Sequence, residues 1–212
     1  MLSTFEKLTK KKQELILDAA ASIFAEEGYH GANIATICQK ADISNGALYK
    51  YFLNKETLFL SVLDRGVDLM IREFYQEYTA DTPSVHEAIH NLVKGLETFT
   101  EKYRPYVCLY ANFSASTMNR FAPRVSERVE REARDFFVGL VEKGKQQGEI
   151  EMSVRSETVA YFIDSYITLY TYSLVSEYHQ ARFNSFFRTL KKQLTKQQKV
   201  AIVMESIELI IK

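Results

Sequence analysis

The stretch SNGALYKYFLNKETLF, Ser44 to Phe59, sets Tyr49, Lys50, Tyr51 and Phe52 in consecutive positions shortly after Gly46. Two phenols and an ammonium are hydrogen-bond donors, and phosphate oxygens and base edges are the acceptors that suit them. The same rings could instead fill a core, which is the commoner fate of an aromatic row at a helix end. No nucleophile lies at a recognisable distance from a base, and no glycine-rich phosphate loop or metal-ligand set accompanies the row, so catalysis has little to stand on. The choice between packing and external contact rests on the elements that carry these residues.

The chain has 212 residues, a formal net charge of +0 and 46% hydrophobic content, enough for one large domain or for a small and a medium one. Cys38 and Cys108 are its only cysteines, and Met1 leads into a lysine-rich segment rather than an apolar leader. A reduced, cytoplasmic protein is expected. Even the most apolar window, YFIDSYITLYTYSLV, is interrupted by Asp164 and several hydroxyls, so no membrane association is expected. With 3 prolines, 8 glycines and no sustained alternation of apolar and polar residues, the fold class is all-α, with about nine helices.

Ile16, Ala19, Ala20, Ile23 and Phe24 form the apolar stripe of a first amphipathic helix, which Gly28 stops in a left-handed conformation. Asn33 caps a short second helix, Ser44 a short third one, and Asn54 a long fourth one that runs to about Tyr78. Ser84 with Glu87 and Thr195 with Gln198 have the spacing of capping boxes. The segment from about Ser156 to Glu177 is apolar on nearly all sides, and Val200, Val203, Met204, Ile207 and Ile211 align along the last helix.

Two short helices joined by a tight turn are the arrangement of a helix-turn-helix, whose second helix can enter the major groove of DNA. The whole stretch ILDAAASIFAEEGYHGANIATICQKADISNGALYKYFLNKETLF resembles the TetR family of transcriptional regulators over about Ile16 to Leu60. The resemblance implies an amino-terminal DNA-binding domain, residues 1–55, and a helical ligand-binding and dimerisation domain, residues 56–212. It further implies a dimeric, ligand-responsive regulator, usually a repressor, that binds a pseudo-palindromic operator and is released by a small, largely apolar or aromatic effector. The alternative is a constitutive DNA-binding or architectural protein without an effector pocket.

Residue chemistry agrees with that role. Gly46 lets the backbone approach a duplex closely, since no side chain stands in the way. Tyr49, Tyr51, Lys55 and Thr36 suit phosphate contacts, while Asn45, Ala47 and Lys50 suit base edges, and Ser44 joins them as the cap. Leu48 and Phe52 are expected in the core. Between Met1 and Phe59 the sequence has lysines but no arginine, and its acids balance them, so the segment is not basic and the salt dependence of DNA binding should be shallow.

By the same resemblance the last two long helices pair two subunits, presenting recognition helices about 34 to 36 Å apart. Half-polar rings crowd the sequence from Tyr103 to Tyr178, and Tyr106, Cys108, Tyr110, Phe113, Met118, Phe137, Phe162, Tyr166 and Tyr170 are the candidate lining of an effector pocket. His86 and His90 lie at i, i+4, but nothing nearby completes a metal set. No cofactor and no metal are expected. The alternating arginines and acids of residues 120–135 are expected to form a solvated ion-pair face, with an anion site for an acidic ligand as the alternative.

Overall fold

The computed structural model describes residues 3–76, 82–114, 121–187 and 194–211. Among these there are eleven α-helices and no strand, in the order α1 (Ser3–Glu6), α2 (Lys10–Gly31), α3 (Ile34–Lys40), α4 (Asn45–Tyr51), α5 (Lys55–Met70), α6 (Val85–Lys102), α7 (Arg104–Ala111), α8 (Ala122–Gln147), α9 (Ser156–Val175), α10 (Glu177–Phe187) and α11 (Lys196–Ile211). Two more helices appear than the nine expected. One is α1, whose four residues give no periodic signal, and the other is α10, separated from α9 by extended backbone at Ser176. A π-helical turn, Ile71–Tyr75, follows α5 directly.

The chain divides into two compact units, Met1–Asp68 with Tyr103–Pro123, and Leu69–Lys102 with Arg124–Lys212. The first unit therefore contains more than the 1–55 segment, adding most of α5 and all of α7. Its helices begin where short polar side chains can accept orphan backbone N–H groups. Asn33 Oδ1 accepts from Ala35 N at 2.8 Å, and Ser44 Oγ from Ala47 N at 3.1 Å. Asn54 and Thr57 reciprocate across the start of α5, at 2.9 and 3.2 Å. Gly28, at φ 70° and ψ 171°, breaks α2, in a region where an L side chain is strained. Ile16, Ala20, Phe24, Ile37, Leu48, Phe52 and Phe59 are fully buried, and the Phe24 and Phe59 rings meet edge-on at 4.8 Å.

The second unit packs α6, α8, α9 and α11 around Ile89, Leu92, Val93, Phe137, Val141, Ile163, Tyr170, Val203 and Ile207. Ser84 Oγ accepts from Glu87 N at 3.0 Å, but the carboxylate at the start of α6 comes from Glu149, which takes Val85 N at 3.0 Å. A negative charge there also meets the positive end of the helix dipole. At the start of α11, Thr195 N donates to Gln198 Oε1 at 2.9 Å and Gln198 N returns to Thr195 Oγ1 at 3.3 Å, a complete capping box.

Candidate nucleic-acid interface

The turn between α3 and α4 is tight enough to require a positive φ at Asp42, 50°, a conformation that a short acidic residue tolerates. It sets α4 with one face inward, where Leu48 and the following Phe52 are each 1% exposed. On the other side Ser44, Asn45, Gly46, Tyr49 and Lys50 are exposed, whereas Thr36, Ala47 and Tyr51 are half-buried. A Cβ built on Gly46 would meet nothing nearer than Ser44 Oγ at 4.0 Å, so the backbone at the start of α4 is open to approach. Among the described residues, no side chain pairs with the Asn45 amide, the Tyr49 and Tyr51 hydroxyls or the Lys50 ammonium. Four donors thus remain available on a helix of seven residues.

The other lysines are differently employed. Lys55 Nζ donates to the carbonyls of Ala32 and His30, at 2.7 and 3.1 Å, and lies 5.2 Å from the centre of the Tyr29 ring. Its charge therefore sits at the carbonyl end of α2, where the helix dipole is negative. Lys12 Nζ does the same for α3, reaching Ala41 and Asp42 oxygens at 3.2 Å each, and Lys40 Nζ bonds Ser22 Oγ at 2.6 Å. The charges of Lys55 and Lys12 thereby close helix ends within the unit.

Sequence spacing gave no hint of α1. Phe5 is 2% exposed and packs on Phe52, with ring centres 4.8 Å apart. The only sequence clue is one aromatic residue in a polar setting. A second unforeseen feature involves Tyr106, whose hydroxyl donates to Asp18 Oδ1 at 2.6 Å and accepts from Arg65 Nε at 3.1 Å. Arg65 also pairs with Asp18 at 3.1 Å and with Glu14 at 3.6 Å. Burial and the Asp18 carboxylate push the Tyr106 phenol well above its ordinary range, so it stays a donor at all relevant pH. These contacts join α2, α5 and α7, and a Cβ on Gly66 would press on the Tyr106 ring at 3.2 Å.

The nine candidate pocket residues are distributed over both units. Tyr106, Cys108, Tyr110 and Phe113 belong to the first, the latter three half-buried. Burial raises the thiol pKa of both Cys108 and Cys38, which makes either a poor thiolate. Met118 lies outside the described residues. In the second unit Phe137 and Tyr170 are core, each 1% exposed, while Phe162 is 53% exposed and therefore faces outward. Tyr166 donates to Ser206 at 2.9 Å and Tyr170 to Glu97 at 3.2 Å, and both rings line a groove of about 190 Å³ with Leu169, His179, Arg182 and Phe186.

Another position in the second unit is electrostatically unusual. The π turn brings Tyr75 into a parallel stack on Phe136, 4.3 Å between centres, and π turns often accompany functional sites. Nearby, Asp164 of α9 has no hydrogen-bond or ion-pair partner among the described residues. Burial, then the Glu130 carboxylate, push its pKa up to about 6, and the same two acids, after burial, help to push the Tyr172 phenol up to about 12. Elsewhere His86 Nε2 lies 2.9 Å from Glu208 Oε1, and Arg134 pairs with Asp135 at 2.7 Å on an exposed face.

Residues 16–62, the segment that builds this helix-turn-helix, match the family described as "Bacterial regulatory proteins, tetR family". The chain belongs to the TetR family. Two transcriptional regulators of Bacillus subtilis show how the likeness is distributed. YuxN is 42% identical over 59 residues, which are 28% of this chain and 20% of that protein. YfiR is 26% identical over 165 residues, covering 74% of this chain and 78% of its own length. Both carry the description of HTH-type regulators. Among solved structures, FadR from Bacillus subtilis in complex with stearoyl-CoA superposes with a TM-score of 0.71 at 18% identity, over 93% of this chain and 97% of FadR. AibR in complex with isovaleryl coenzyme A and operator DNA gives 0.64 at 18% identity, over 92% and 97%. At such identities the superposition establishes a shared fold. The protein is a TetR-family DNA-binding regulator of transcription and not an enzyme, and no described helix is long and apolar enough to cross a membrane.

Proposed function

We propose that this TetR-family protein is a homodimeric repressor whose α4 helices enter successive major grooves of a pseudo-palindromic operator, and that a small, largely apolar or aromatic effector releases it. The observation that carries the DNA-binding part is the outward face of α4, where Asn45, Tyr49, Tyr51 and Lys50 keep unpaired donors while Leu48 and Phe52 hold the helix from behind. Lys50 and Asn45 read base edges, Tyr49, Tyr51 and Thr36 bind phosphates, and Gly46 with Ala47 lets the helix sit close. Ser44 fixes its amino end. Lys55 supports this face from within the unit through the α2 carbonyls.

For the dimer, the supporting feature is apolar surface on the last long helices, where Tyr161, Phe162 and Leu169 of α9 and Leu209 of α11 are exposed. For the effector, FadR and AibR were each solved with a coenzyme A thioester, and the second unit of this chain holds an aromatic stack at Tyr75 and Phe136 beside a half-buried carboxylate at Asp164. An effector that favours one tilt of α5 would alter the spacing of the two recognition helices and so the affinity for the operator.

Selection of duplexes from a random pool with the full-length protein tests the proposal, followed by titration of Lys50→Ala. A palindromic consensus is expected, and Lys50→Ala should lose about 1–3 kcal/mol of preference for it over unrelated DNA, with an unchanged melting temperature. Retention of no duplex, or equal preference in the variant, would remove α4 from the groove. Sedimentation at micromolar concentration should give a dimer.

A further inference from the structure

Seven residues make only two turns of helix, too few for α4 to hold its shape or direction alone. Its amino end is fixed by Ser44, and its inner face by Leu48. The carboxy end, from which Tyr49, Lys50 and Tyr51 project, is held by α1. The Thr4 hydroxyl donates to the Lys50 carbonyl, one of the last-turn oxygens that an α-helix leaves without a partner. Phe5 is inserted between Phe52, at 4.8 Å, and Tyr51, whose ring it meets edge-on at 6.0 Å.

A four-residue helix cannot act as a brace unless something anchors it. Gln13 of α2 supplies the anchor, since its side-chain amide donates to the carbonyls of Phe5, Glu6 and Leu8 at 3.1, 3.3 and 3.0 Å. Leu8 N also closes on Phe5 O at 3.0 Å. The chain of contacts runs from α2, through Gln13 and the α1 carbonyls, to Thr4 and Phe5 and on to the final turn of α4. The Lys50 backbone is gripped while its ammonium remains without a partner.

We infer that α1 is a positioning element for DNA recognition, with Thr4, Phe5 and Gln13 setting the direction from which Lys50 and its neighbours meet base edges. The inference rests on the assignment of α4 to the major groove. A recognition helix tilted by loss of the brace would forfeit short-range base contacts, which need alignment, yet keep the long-range attraction of its charges for phosphates. The loss should therefore appear in choice among sequences and not in binding to DNA in general.

The test uses full-length protein, a duplex recovered by random-pool selection, and a scrambled duplex of the same composition. The readout is the ratio of the two dissociation constants, measured well below the melting temperature. Partial unfolding scales both constants by one factor and cancels in the ratio, so a merely structural role leaves it unmoved. Phe5→Ala should reduce the ratio about tenfold and Thr4→Val about threefold, with scrambled-duplex affinity and its salt slope unchanged. Phe5→Leu should restore most of the loss. An unchanged ratio in both Thr4→Val and Phe5→Ala overturns the inference, and Thr4→Val alone decides if Phe5→Ala does not fold. Lys50→Ala separates the two levels: a ratio insensitive to Lys50 removes the groove assignment, whereas a ratio that collapses with Lys50 but ignores Thr4 and Phe5 removes only the brace.

Discussion

Tyr49 and Tyr170 both project from helices, yet Tyr49 is 52% exposed with no partner for its hydroxyl among the described residues, while Tyr170 is 1% exposed and donates to Glu97. The contrast extends to their surroundings. Around α4 the polar atoms that point outward are unpaired and the rings behind them are packed, so the helix is rigid but chemically unspent. In the second unit, Tyr166 bonds Ser206 and Phe137 is enclosed, as befits side chains that close a core. Exposure with unpaired donors marks a surface prepared for an external partner, and aromatic content alone does not. The same residue type is thus spent on packing in one region and left available in the other.

Three substitutions should sharpen the contrast, beginning with the largest effect. Phe137→Ala empties a fully enclosed position in the second unit and should cost about 3–5 kcal/mol in denaturant unfolding. The folded fraction should still bind DNA with unaltered sequence preference, and a changed preference would mean that the two regions are not chemically separate.

Asp164→Asn acts in the opposite direction. Because the folded pKa of Asp164 is raised to about 6 from an ordinary 3.8, the folded state binds more protons than the unfolded state between those values. Wild-type stability should therefore fall as pH rises through this window. The asparagine variant lacks that loss, and unfolding at pH 8 should find it more stable by on the order of 1–3 kcal/mol, with little difference at pH 4. Equal stability at pH 8 would mean that Asp164 is well solvated.

Lys55→Ala is expected to have the smallest effect and addresses which region owns this lysine. If its ammonium belongs to the α2 carbonyls, the cost is about 0.5–1 kcal/mol of stability with an unchanged salt slope. A slope shallower by about one per site, with no loss of stability, would return Lys55 to a DNA phosphate.

What could be read in the sequence was what neighbouring residues decide. Asn33, Ser44, Asn54, Ser84 and Thr195 all cap the helices that their spacing foretold, because a cap needs a partner only two or three residues away. The apolar stripe from Ile16 to Phe24 is buried for the same local reason. Partners chosen across the fold left no such trace. Thr4 meets Lys50 across 46 positions, Glu149 caps α6 from 64 positions away, and Tyr106 bonds Asp18 across 88. At the candidate site the outward residues of α4 were legible through the family resemblance, but the commitment of Lys55 to its own unit was not, since an ammonium donates to any carbonyl within reach. Phe162 shows the same limit, because a helix apolar on all sides does not reveal which of its rings turns outward.

The grip of Thr4 and Phe5 on the last turn of α4 has a practical side. Any affinity tag joined ahead of Ser3 emerges beside the residues proposed to meet DNA, where a charged or bulky peptide would compete for a groove or pull the brace away. Binding constants should therefore be measured on protein that carries no charged or bulky extension ahead of α1.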